Sequence, residues 1–374
     1  MSFKRFSNQR GDFMSTSRRQ LLAAAGASAL AIAPHANAQS APTIRWRMVT
    51  SYPKSLDVLH GGCELIARRV SELTNGQFVI SVHAAGEVVP ALAVFDAVSS
   101  NTVQCGHTAA YYYIGKDTSF IFDTALPFGM NARNHVAWLR HGGGLELLRD
   151  LYKKSNILNI PAGNTGAQAG GWFRKEIKSV KDLKGLRMRI PGWGARIMAE
   201  LGVTPQNIPG GEVYAALEKG TIDATEWVGP HDDEKLGLFK VASNYYFPGW
   251  WEPCGQLSMY INTSEWEKLP KQYQSVIETA CGEAYSQMLS EYDAKNPTAL
   301  RRLVSQGTKI RRFPNDLLQA ANKKSNELFE EESNKNPAFK ALLTSYREFE
   351  KLQYPWYGLS EYGMESFMRR GNPG

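Results

Sequence analysis

Apolar and polar residues alternate along Thr43-Ile44-Arg45-Trp46-Arg47-Met48-Val49-Thr50, which predicts a strand with one buried face. The spacing then changes. Leu56, Leu59, Leu65, Ile66, Val70 and Leu73 recur at three- and four-residue intervals, which predicts a helix over 55–74 that stops at Asn75-Gly76. Phe78-Val79-Ile80-Ser81-Val82 reads as a second strand. Strand, helix and strand in that order indicate an α/β unit with a parallel sheet.

A weak internal repeat follows. Val94-Phe95-Asp96-Ala97-Val98-Ser99-Ser100-Asn101-Thr102-Val103 aligns with Val213-Tyr214-Ala215-Ala216-Leu217-Glu218-Lys219-Gly220-Thr221-Ile222. In both, an apolar–aromatic pair opens a short helix, and Asn101 or Gly220 stands where a left-handed cap is wanted. A strand is expected from Thr102-Val103 and from Thr221-Ile222. Two similar lobes account for such a repeat, although helix–cap–strand is also common in any α/β protein. Ile157 to Gly166, an apolar run entering a Pro/Gly stretch, is the candidate crossing between lobes, and the aromatic segment Asn244 to Pro253 the candidate return. Gln256 to Asn262 alternates like a strand. From Pro270 the pattern is helical, with Gln272 to Lys295 reading as one long helix that Pro270 starts.

The N-terminus changes the picture of where this fold works. Lys4, Arg5, Arg10, Arg18 and Arg19 precede an uncharged run from Leu21 to Ala33, and Ala36-Asn37-Ala38 is a small-x-small cleavage pattern. Residues 1–38 therefore read as a signal peptide, of twin-arginine type from Ser17-Arg18-Arg19-Gln20-Leu21-Leu22, and the periplasm as the destination. The leader carries +4 of the formal +7, so about +3 remains on the mature chain and a nucleic-acid partner loses its main support. Cys63, Cys105, Cys254 and Cys281 show neither CxxC nor zinc spacing and are expected as buried free thiols.

No GxSxG, GxxxxGK[ST], GxGxxG or HExxH motif is present. His141-Gly142-Gly143-Gly144 resembles an oxyanion loop but lacks a nucleophile elbow and reads as a turn. His231-Asp232-Asp233-Glu234 is acidic enough to suggest a metal site, yet helical spacing would splay these residues round the surface, so a solvated helix start is expected. In Lys181-Asp182-Leu183-Lys184-Gly185-Leu186-Arg187-Met188-Arg189-Ile190-Pro191, Leu186, Met188 and Ile190 face one side of a short strand and Arg187 and Arg189 the other. A guanidinium at a strand end presents two parallel N–H groups to a carboxylate.

The segments Asp182-Leu183-Lys184-Gly185-Leu186-Arg187-Met188-Arg189-Ile190-Pro191-Gly192 and Ala216-Leu217-Glu218-Lys219-Gly220-Thr221-Ile222-Asp223-Ala224-Thr225-Glu226-Trp227 together resemble the solute receptors of TRAP (tripartite ATP-independent periplasmic) transporters. The resemblance covers essentially the whole mature chain and is closest to the branch that binds 2-oxo acids or similar monocarboxylates with a metal cation. It implies an α/β, two-lobed fold of the periplasmic-binding-protein type, with a cleft between lobes and a long C-terminal helical segment. On that basis 39–162 form lobe I, 163–252 lobe II, and 253–374 the return strand to lobe I with the C-terminal helices.

The resemblance also implies roles. Arg189 clamps the ligand carboxylate. Gln168, Glu226, Trp227 through its carbonyl, and Glu252 hold the cation, Gln168 and Trp227 also meeting the ligand. These are hard oxygen donors suited to Na⁺ or Ca²⁺ and not to zinc. Glu226, Glu252 and the ligand contribute −3 and Arg189 returns +1, so a divalent ion would neutralise the site and Na⁺ would leave −1. Electrostatics alone leans to Ca²⁺, and both ions stay open. One hydroxyl of Tyr111-Tyr112-Tyr113 is expected on the ligand, Tyr112 being the candidate, and Trp250 and Trp251 are candidates to roof the pocket. The partners implied are a small monocarboxylate and the TRAP membrane subunits, and the long helix after Pro270 is a candidate for homodimerisation, as in some relatives. The rival is a periplasmic enzyme acting on a small carboxylate with the two glutamates as acid and base, a reading for which the sequence offers no nucleophile.

Overall fold

Strand β1 (Ile44–Thr50) buries Trp46 and Met48 and leaves Arg45 and Arg47 exposed, following its alternation. The computed structural model to which it belongs describes residues 42–371, so the expected leader falls outside the described residues. Helix Asp57–Leu73 follows β1 and buries Leu59, Leu65, Ile66 and Val70, and β2 (Phe78–His83) lies parallel to β1. With β3 (Cys105–Thr108), β4 (Ile157–Asn164) and β10 (Gln256–Asn262) these strands form a first sheet in the order β2-β1-β3-β10-β4.

The second sheet contains β5 (Gly171–Phe173), β6 (Arg187–Arg189), β7 (Thr204–Gln206), β8 (Ala224–Thr225), β9 (Asn244–Phe247) and β11 (Lys309–Arg312), in the order β11-β9-β5-β8-β6-β7. Its β7-β6-β8 part repeats β2-β1-β3: in each, a central strand pairs in parallel with both neighbours. The repeat extends to single hydrogen bonds. After helix Val94–Ser99, Asn101 sits at φ 57°, and the amides of Thr102 and Val103 both donate to the Ala97 carbonyl at 2.9 and 3.2 Å. After helix Gly210–Glu218, Gly220 sits at φ 70°, and the amides of Thr221 and Ile222 both donate to the Ala216 carbonyl at 2.9 and 3.3 Å. The left-handed cap reverses the chain so abruptly that β3 and β8 begin two to three residues later than the alternation suggests.

The chain crosses between sheets twice, from β4 to β5 and from β9 back to β10, at the two Pro/Gly-punctuated stretches. Strand β11 adds a third excursion that the pattern does not predict: Lys309-Ile310-Arg311-Arg312 pairs with β9, some 65 residues earlier, at the edge of the second sheet. The molecule is a two-lobed α/β structure with long C-terminal helices. The 35-residue helix Lys271–Ser305 runs past the expected end at Lys295 and through Pro297. At 1.5 Å per residue it is about 52 Å long. Its buried Ile277, Cys281 and Ala284 pack with Cys63, Ile66 and Ile160 of the first lobe, and farther along the Tyr292 hydroxyl donates to Asp232 of the second at 2.8 Å. The helix is thus a strut shared by both lobes. All four cysteines are buried and unpaired. No helix of the described residues is long and apolar enough to cross a membrane.

Candidate ligand and cation site

Parallel strands of both lobes end at one place, where α/β sheets characteristically open to ligands. β1 leads to Tyr52, β3 to Tyr111 and Tyr112, β6 ends on Arg189, and β8 leads to Glu226 and Trp227. Arg189 is 1% exposed and Glu226 fully buried. The Arg189 guanidinium donates from Nη1 to the Glu226 carboxylate and, at 3.3 Å, to the Glu226 carbonyl; Nε donates to Ile208 O at 3.0 Å. Its face lies 4.8 Å from the centre of the Trp227 ring, a stacking that a lysine could not reproduce. Nη2 is buried with no hydrogen-bond partner among the described residues. Arg187, two residues earlier, is exposed and pairs with Asp223 at 2.8 Å, so only Arg189 of the pair lies in this buried cluster.

Gly171 lets the strands approach closely enough for this. It stands at φ 85°, and a side chain there would collide with the Thr225 carbonyl and Glu226 Cα. The loop carrying Trp227 and Val228 is fixed from below by Asp233, which accepts from Trp172 Nε1 at 2.9 Å, Tyr245 Oη at 2.7 Å and the amides of Val228 and Gly229 at 3.3 and 3.2 Å.

Oxygen atoms crowd beside Arg189. One end of the Gln168 amide lies against the Trp227 carbonyl oxygen and, at 2.8 Å, a Glu252 carboxylate oxygen; the other end lies 3.1 Å from Thr165 Oγ1. With Nε2 toward Thr165, three oxygens from Gln168, Trp227 and Glu252 converge and repel unless a cation sits among them; the reverse orientation puts N–H groups in the cation's place. Glu226 Oε2 and Glu252 Oε1 are buried without a hydrogen-bond partner among the described residues. Burial pushes the Glu226 carboxyl up to about 7 against the pull of Arg189, and burial together with neighbouring Glu226 raises Glu252 well above the ordinary carboxylate range. Two acids and two neutral oxygens short of positive charge fit Na⁺ or Ca²⁺ in donor type and charge.

Every residue that the sequence points to as ligand or metal contact, namely Gln168, Arg189, Glu226, Trp227, Glu252 and Tyr112, gathers here. The Tyr112 hydroxyl sits beside Arg189 and that of Tyr111 beside Glu252, whereas Tyr113 turns away to bond Thr108 at 2.9 Å. The two tryptophans do not roof the site. Trp250 stacks on Phe128 at 4.9 Å and Trp251 packs toward Phe313 at 5.8 Å. His231-Asp232-Asp233-Glu234 is not a solvated helix start. Asp232 and Asp233 are fully buried, their carboxyls pushed up to about 7 and about 6 by desolvation, because Tyr292, Trp172 and Tyr245 supply donors from other elements. His231 reaches Asp57 of the first lobe at 2.9 Å, where Lys235 and Lys295 also pair, at 2.7 and 3.0 Å.

Five lining residues were not foreseen: Tyr52, Leu59, Thr165, Val228 and Leu257 border the same space as Tyr111, Tyr112, Gln168 and Trp227. Position at strand ends is the one signal that could have found Tyr52. The lobes are closed on each other, leaving a cavity of about 10 Å³, room for roughly one water. A hollow of about 440 Å³ outside it, between Pro53, Ala85 and Leu92 on one lobe and Pro209 and Glu212 on the other, marks the mouth of the cleft. A surface hollow of about 330 Å³, by Arg174, Lys184 and Asp223, contains none of the site residues.

Residues 49–336 match the model of bacterial extracellular solute-binding protein, family 7. The chain is 52% identical over 326 residues to the monocarboxylate 2-oxoacid-binding periplasmic protein of Nostoc sp. PCC 7120, an alignment that covers 87% of this chain and 89% of that one. A TRAP transporter solute-binding protein of Bordetella bronchiseptica RB50, solved as a mixed-occupancy dimer with copurified calcium and picolinate in one site, is 50% identical; it superimposes with a TM-score of 0.87 over 88% of this chain and 98% of its own. One from Pseudoalteromonas atlantica T6c, with bound sodium and pyruvate, is 37% identical with a TM-score of 0.84 over 87% and 99%. The chain belongs to family 7 of the bacterial extracellular solute-binding proteins, the solute receptors of TRAP transporters.

Proposed function

We propose that the chain is exported to the periplasm, binds a short 2-oxo or 2-hydroxy monocarboxylate together with Na⁺ or Ca²⁺, and hands the acid to the membrane subunits of its transporter. The observation that carries this reading is the buried meeting of Arg189 with the oxygens of Gln168, Trp227 and Glu252 between two lobes. Gln168, the Trp227 carbonyl, Glu226 and Glu252 would hold the cation, which supplies positive charge for the ligand's carboxylate and the donor atom beside it. The relatives' ligands share that feature: pyruvate has an oxo group, and picolinate a ring nitrogen, next to the carboxylate. Arg189, with Nη2 unpartnered, donates to the carboxylate; Tyr112 lies within reach of the same pole; and closure of the lobes excludes water, which strengthens each of these interactions.

Thermal melting with a panel of carboxylates, in buffers with Na⁺, with Ca²⁺ and with neither, tests this. Stabilisation by 2-oxo or 2-hydroxy monocarboxylates in a cation buffer is expected, with the acid recovered chemically unchanged. No stabilisation by any member, or conversion of the acid to product, sinks the reading.

A homodimer belongs to the same reading, and we place its face on the helices that follow the long one. Among the described residues, Lys271–Ser305 exposes one large apolar side chain, Val304, because its others are spent on the two lobes. The exposed apolar surface lies on helices Pro337–Leu359 and Glu361–Gly371. There Leu352, Trp356, Leu359, Tyr362, Phe367 and Met368 are each 56–83% exposed, more than a solitary receptor normally shows to water. The dimeric state of the Bordetella relative supports a second copy as the occupant. Light scattering is expected to give a dimer, and Leu359→Glu with Phe367→Glu a monomer that still binds acid. A monomeric parent protein at tens of micromolar removes the pairing.

A further inference from the structure

The cleft has a charged pole and an apolar one. The space that Gln168 and Trp227 border is bordered also by Leu59, Leu257 and Val228, each no more than 6% exposed, and by Tyr52. Among the described residues, none bordering this space bears a formal charge. Tyr52 is 2% exposed, and its hydroxyl has no hydrogen-bond partner among the described residues. A buried hydroxyl left unpartnered in the protein is costly unless something enters to bond it. Tyr52 leaves β1 at the strand end facing the site, Leu59 lies on the first turn of helix Asp57–Leu73, and Leu257 is the second residue of β10, so the first lobe supplies three of the four groups.

We infer that Tyr52, Leu59, Leu257 and Val228 form a tail subsite that sets which acids are accepted, a conclusion that rests on the carboxylate reading above. The carbon chain beyond C2 packs on Leu59, Leu257 and Val228, and the Tyr52 hydroxyl bonds an oxygen of the bound acid. Because the closed cavity is so small, the volume of Leu59 and Leu257 limits tail length. A second carboxylate would be buried against three apolar side chains with no guanidinium or ammonium to meet it, which disfavours dicarboxylates.

Titration calorimetry at saturating Na⁺ or Ca²⁺ decides the matter, using pyruvate, 2-oxobutyrate, 2-oxoisocaproate, 2-oxovalerate and 2-oxoglutarate. Leu59→Ala is expected to raise the affinity ratio of 2-oxoisocaproate to pyruvate by about 10-fold or more, the effect of added room for methylenes. Leu257→Ala serves as the independent second variant should the first fail to fold. Tyr52→Phe is expected to weaken every acid by about 5- to 10-fold while leaving cation affinity unchanged, as loss of one ligand hydrogen bond would. In the parent protein 2-oxoglutarate is expected about 100-fold weaker than 2-oxovalerate. Ratios unchanged in a folded leucine variant overturn the tail subsite while the receptor reading stands, and so does equal binding of the dicarboxylate. A parent protein that binds no acid takes both down.

Discussion

Arg189→Lys is expected to weaken acid binding by about 100-fold, measured by titration calorimetry, while the protein still melts cooperatively. Lysine keeps the charge that Glu226 needs but loses the fork, the stacking on Trp227 and the Nη2 group left over for the ligand. Loss of a buried, charged hydrogen-bond partner costs about 2–5 kcal/mol, and 100-fold corresponds to about 2.7 kcal/mol. Arg189→Ala is the poorer experiment. It strands the buried Glu226 carboxylate, a loss of about 3–5 kcal/mol in stability, so reduced binding would be mixed with unfolding. Near-normal affinity in Arg189→Lys would show that the ligand carboxylate is held elsewhere.

Withdrawal of Na⁺ and Ca²⁺ is expected to lower affinity for the acid on the order of 100-fold, the upper part of the range for coupling between two sites. Without a cation, an anionic ligand must enter beside Glu226 and Glu252, both buried and each holding an unpartnered oxygen. Linkage makes the coupling reciprocal, so the acid must tighten the cation by the same factor. Glu252→Gln should weaken the cation and with it the reciprocal effect. An acid affinity indifferent to every cation, in protein shown free of metal, excludes the cation site.

Legibility in the sequence followed the range of the interactions. The βαβ opening, the two crossings and the repeat were readable because their signals are local: alternation, helical spacing, and a left-handed residue at Asn101 and Gly220. Arg189 was readable from a four-residue alternation plus resemblance. Gln168, Glu226, Trp227 and Glu252 were reached only through resemblance, since nothing in their immediate neighbours announces an oxygen cage. Long-range partners defeated the rest. Asp232 and Asp233 look like surface acids until Tyr292 and Trp172, about sixty residues away, are folded onto them. Strand β11 carries three cations in four residues and becomes a strand only by pairing with β9. Tyr52, Leu59 and Leu257 are ordinary core residues in the sequence, and only the meeting of lobes makes them a wall. Trp250 and Trp251, beside Glu252 in the chain, showed the reverse: adjacency to a site residue does not place a side chain in the site.

The four buried thiols give this receptor a built-in clock. Burial pushes the Cys63 thiol up to about 12 and raises Cys105 and Cys281 as well, so an alkylating reagent meets almost no thiolate while the lobes are folded. Modification must wait for transient unfolding, and its rate under gentle conditions reads the opening equilibrium of the first lobe directly. Ligands and cations that favour the closed form slow that clock without any added label, and maturation depends on no oxidant, because no sulfur has to find another.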